Sequence, residues 1–86
     1  AEDKTLGLEI AALTQGAPLH RLGDVRMSLT IVFYIERERK EALYQTKRLE
    51  EGFYICYTKD LPKDRPYTVL REFAYWEEPI FFISLD

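Results

Sequence analysis

The longest uninterrupted run of strand-favouring residues is Leu29 to Ile35, Leu-Thr-Ile-Val-Phe-Tyr-Ile, β-branched or aromatic at six of seven positions. With period two, Leu29, Ile31, Phe33 and Ile35 share one wholly apolar face. Thr30, Val32, Tyr34 and Glu36 share the other, which grades from apolar to charged. The pattern predicts a central strand with Phe33 in the core. Leu6, Leu8 and Ile10 alternate with Gly7 and Glu9 and predict a second strand within Thr5 to Leu13, although the Ala11-Ala12-Leu13 end also suits a short helix. Thr14 to Pro18 and Gly23-Asp24 read as turns, so that Gly16 to Arg26 is expected to be a loop.

Glu36 to Glu51 is rich in helix formers but has a poor apolar stripe, and reads no better as a strand. Leu49-Glu50-Glu51-Gly52-Phe53 matches a three-residue hairpin connection, and Gly52 would serve equally as the residue that ends a helix. Phe53 to Thr58 is a clear strand, Lys59 to Pro66 a loop with two prolines, and Ile80 to Leu85 a clear closing strand. Between them, Tyr67 to Glu77 fits either period: Tyr67, Val69, Phe73 and Tyr75 on a strand face interrupted by Arg71, or Val69, Leu70, Phe73, Ala74 and Trp76 on a helix. The expected fold is all-β, a small sandwich or partly open barrel of about six strands. The alternative is α+β, a four-stranded sheet with helices at 37–51 and 68–77.

Eighty-six residues at 47% hydrophobic and 31% charged make one small globular domain, 1–86, with a thin core. No apolar run approaches the roughly 18–20 residues that cross a bilayer as a helix. The single cysteine, Cys56, rules out an internal disulfide and points to a reducing, cytoplasmic compartment, with a cleaved signal peptide as the other origin for the N-terminus. The net charge of −3 divides unevenly: residues 20–48 carry seven bases and four acids, the flanking segments an acidic excess. That balance is far from the basic domain typical of nucleic-acid binding.

Reactive constellations are missing from the sequence pattern. Cys56 lies mid-strand, where cysteine acts as a small hydrophobe, and the lone His20 lies in the expected loop. Glu36 and Glu38 would sit about 7 Å apart on one strand face, but arginines flank both and make a solvated charge ladder. The four glycines are scattered, and Asp60 and Asp64 lack calcium-loop spacing. The expectation is therefore a non-enzymatic chain with no metal and no cofactor.

The surplus of amphipathic aromatics, six tyrosines and one tryptophan, points instead to a contact surface. The expected partner-binding residues are Tyr67, Tyr75, Trp76 and Phe81, and the expected function is a protein-interaction module, a small regulator or accessory subunit. The expected partner is another protein or a second copy. The closing strand, apolar on both faces, is expected at a sheet edge, inviting homodimer formation beside Trp76 and Phe81. The alternative is a small barrel that binds single-stranded nucleic acid through Arg37, Arg39, Lys40, Tyr44, Lys47 and Arg48.

Overall fold

A computed structural model of the chain describes residues 2–86. The fold is α+β: two helices on one face of a five-stranded sheet, not an all-β sandwich, and with one strand more than the α+β alternative. The elements run α1 (Glu2–Leu13), β1 (Leu19–Leu22), α2 (Leu29–Arg39), β2 (Gln45–Thr46), β3 (Gly52–Tyr57), a 3-10 turn (Thr58–Asp60), β4 (Thr68–Tyr75) and β5 (Glu78–Leu85).

The expected central strand is the helix α2. Ser28 caps it, its Oγ accepting from the backbone N–H of Thr30 at 3.1 Å and of Ile31 at 3.4 Å. Ile31 and Ile35, four apart, turn into the core, while Leu29 (84% exposed) and Phe33 (55%) turn out. Period two had placed all four together, so the Phe33 core assignment is corrected. A tertiary reason favours the helix over strand propensity: α1 packs closely on α2 because Gly7 lacks a side chain. A Cβ there would meet the Ile31 carbonyl oxygen and Tyr34 Cβ, each at 3.0 Å. Thr5 to Leu13 is accordingly within helix α1, with Glu2 and Asp3 in its first turn.

The strand order is β2-β1-β3-β5-β4. β1 lies parallel to both β2 and β3, so β1–α2–β2 is a parallel crossover unit. β1 occupies part of the expected Gly16–Arg26 loop. Helix does not extend over 37–51: Lys40, in the left-handed region at φ 59°, closes α2 with its N–H on the Glu36 carbonyl at 2.8 Å. Leu49 to Phe53 is not a hairpin either, since β2 and β3 both run parallel to β1, and 47–51 must return across its face from beside Leu22 to beside Leu19. Tyr54 fastens that crossing, its hydroxyl accepting from the Glu50 N–H and donating to the Glu50 carbonyl, both at 2.8 Å.

β5 is central, antiparallel to β3 on one side and β4 on the other. Its two apolar faces are explained by two buried layers. Ile80 and Phe82 join Ile10, Ile31, Ile35 and Ile55 under the helices, and Ile83 and Leu85 join Leu22, Tyr54 and Cys56 on the other face, with Leu49 and Leu61 against them. The expected apolar edge at the chain end is therefore corrected, and with it the premise for dimerisation through β5. β4 is the edge strand on that side of the sheet, so 68–77 is not helical. An irregularity between Val69 and Arg71 breaks its alternation, which is why no single period fitted the segment.

Candidate contact site at the hairpin tip

β4 and β5 are joined by two residues, Trp76 and Glu77, between the paired Tyr75 and Glu78. Both have positive φ, 54° and 66°, as in the mirror-image turn that suits a tight hairpin and usually takes Asn-Gly. Holding two side-chain-bearing residues there costs about 1–2 kcal/mol each. The turn projects Trp76 into solvent, 84% exposed, with its ring edge-on to Tyr75 at 6.0 Å and 83° between planes.

Beneath the tip lies a cleft of about 680 Å³, lined by Arg26, Tyr57, Lys59, Tyr75, Trp76 and Glu78. Strand alternation explains its aromatic floor. Tyr57 follows Ile55 and Tyr75 follows Phe73 on the helix-facing side of the sheet, and both rings pack at the margin of that core. Tyr57 also accepts a hydrogen bond from the Arg26 N–H at 3.0 Å, tying the segment before α2 to the end of β3. A second hollow of about 400 Å³ adjoins it, sharing Arg26 and Tyr75 and adding Leu29, Val32, Met27 and Glu36. The two most exposed large apolar side chains, Leu29 and Trp76, thus border hollows that meet at Arg26.

The cations of this region differ in their freedom. Lys59 Nζ lies 3.0 Å from Asp24 Oδ1, and their hydrogen bond holds the Asp24 carboxyl below its ordinary range and the Lys59 ammonium above its own. The Arg26 guanidinium, among the described residues, has no such partner. Every other arginine does: Arg21 on the Leu43 carbonyl, Arg37 on Glu38, Arg39 on Thr14 and Glu41, Arg48 on Glu50, Arg65 on the Asp86 carbonyl and Arg71 on Glu9.

Of the four expected partner-binding residues, the structure brings Tyr75 and Trp76 together at the tip. Tyr67 (36% exposed) lies at the far end of β4, and Phe81 packs half-buried on the opposite face of the sheet. The basic set is dispersed. Arg37 lies over the Phe33 and Tyr34 rings on α2, Arg39 is buried in a clamp on α1, and Lys40 closes α2. Lys47 and Arg48 lie in the crossing segment, while exposed Tyr44 precedes β2. Sequence reading missed Arg26, Leu29, Tyr57, Lys59 and Glu78. The Tyr75-Trp76-Glu77-Glu78 run between two strands signals only Glu78; the other four are brought to the tip by the fold.

The reactive candidates occupy other roles. Cys56 is buried on the face away from the helices, its thiol pushed up to about 11 by burial and, secondarily, by the negative charge of Asp60. His20 stacks on Tyr54 at 6.3 Å. Glu36 accepts the Leu43 N–H at 2.7 Å, and Glu38 pairs with Arg37. No three His, Cys, Asp or Glu side chains cluster as metal ligands, and no helix is long and apolar enough to cross a membrane, among the described residues. No protein-family model, curated protein or solved structure matches the chain.

Proposed function

We propose that this chain is a non-enzymatic protein-interaction module, a small regulator or accessory subunit, whose contact surface is the β4–β5 hairpin tip with Trp76 as its anchor. The observation that carries the reading is Trp76 itself: the largest side chain in the protein stands in solvent on a turn whose two central residues both hold an unfavourable backbone conformation. Local strain of this kind persists where something other than stability retains it. Tryptophan, tyrosine and arginine, the residue types that dominate binding energy at interfaces, converge on the cleft below it.

The open edge of β4 is a weaker candidate for the same role. Its irregularity near Leu70 and its exposed Arg71 and Glu72 are the usual guards against strand addition. The test compares partner capture by the immobilised wild-type chain, Trp76→Ala and Phe33→Ala. Loss with the first variant and retention with the second supports the reading. Equal capture by both removes the hairpin tip from the contact.

A further inference from the structure

The same cleft defines what its occupant must offer. Arg26 lines both hollows, its guanidinium unpaired among the described residues, in a chain whose net charge is negative and whose other arginines all have partners. A guanidinium that lines an aromatic cleft gains most from a planar anion that takes two of its N–H groups at once. On either side stand exposed apolar groups, Trp76 in one hollow and Leu29 in the other. We infer that the site receives a protein segment carrying a carboxylate beside a large apolar side chain, the carboxylate on Arg26 and the apolar group against Trp76 or Leu29. This inference rests on the contact reading above and adds the partner's chemistry to it.

Charge favours a single acidic residue over a polyanion. Glu78 lines the first hollow and Glu36 the second, where Arg21 is already held on the Leu43 carbonyl; Glu77 flanks Trp76, and Lys59 is already paired with Asp24. These acids repel a chain of phosphates more than a single carboxylate, since repulsion grows with the charge brought in. Of the other bases, Lys47 shares a neighbouring hollow with Lys59 but also with Asp24 and Asp60, while Arg37, Arg39 and Lys40 lie on α2 and at its end.

The experiment selects a displayed library of short random peptides on the intact chain and reads binding of the enriched sequences by the fluorescence of Trp76, the only tryptophan. The expected consensus places Asp or Glu within a few residues of Leu, Phe or Trp. Arg26→Gln should weaken those peptides about tenfold or more, as for loss of a charge-assisted hydrogen bond. Trp76→Ala, read by calorimetry, should abolish their binding, and circular dichroism checks that both variants remain folded. Enriched peptides without an acid, or acidic ones indifferent to Arg26→Gln, overturn the partner's chemistry and leave the contact surface standing. No enrichment, or binding unchanged by Trp76→Ala, overturns the contact surface itself. Quenching of Trp76 by oligouridine that depends on Arg26 transfers the site to nucleic acid and overturns the peptide proposal.

Discussion

The two ends of α2 differ in how completely they are finished. At the C-terminal end, Arg39 is 6% exposed and donates to the Thr14 carbonyl at 2.5 Å, the Thr14 hydroxyl at 2.8 Å, the Ala17 carbonyl at 2.8 Å and Glu41 at 2.6 Å. It thereby binds the carbonyls at the end of α1, where a cation also meets the negative end of the helix dipole. At the N-terminal end, Ser28 caps the helix, but Arg26 has a free guanidinium and Leu29 stands in water. Both ends carry an arginine near large hollows. Only one uses it to hold the fold, which is the reason to read the other as a contact surface.

Truncation inside the finished part should have the largest effect. Ile35→Ala, at a fully buried position near the Arg39 end, is expected to cost about 2–5 kcal/mol through lost burial and a residual cavity, measured by urea unfolding. Leu29→Ala at the open end should change stability by no more than about 0.5 kcal/mol. If Leu29→Ala destabilises as much as Ile35→Ala, the open end is part of the core and the comparison fails.

Next comes the clamp. Arg39→Ala leaves the Ala17 carbonyl without its Arg39 donor and the Thr14 carbonyl with only the Ala17 N–H, and should cost about 1.5–3 kcal/mol, the range for hydrogen bonds to a charged group. A smaller expected effect, of opposite sign, belongs to Lys40. Glycine there relieves the left-handed conformation that closes α2, and Lys40→Gly should raise stability by about 0.5–1 kcal/mol. The smallest is Arg26→Gln, expected within about 0.5 kcal/mol of wild type in the same assay. A loss comparable to that of Arg39→Ala would mean that Arg26 holds the fold.

The C-terminal strands were legible because Phe53 to Tyr57 and Ile80 to Leu85 are apolar on both faces and flanked by clear breaks, a pattern that buried strands share in any topology. α2 was not, because its apolar residues recur at both two and four positions. Only the close approach allowed by Gly7, 27 positions before the Tyr34 that it meets in space, resolves the period. The crossing at 47–51 was misread because a glycine that opens a strand looks the same as one that closes a hairpin; Gly52, at φ 145°, begins β3 against the Pro18 carbonyl. Trp76, which the structure leaves exposed, was singled out for the surface from its type and surroundings. Arg26 was not, since what marks it is the pairing of the other arginines, and pairing is a property of the folded chain.

On the proposed reading, the hairpin tip is retained for contact at the expense of stability. The most direct test of that claim is equilibrium urea unfolding of the double variant Trp76→Asn/Glu77→Gly beside wild type, followed by far-ultraviolet circular dichroism. Asn-Gly suits the turn that Trp76 and Glu77 occupy, so the variant should be more stable by about 1–2 kcal/mol. A variant less stable than wild type by a similar margin would show that Trp76 is held there by packing that supports the fold, and would contradict the claim.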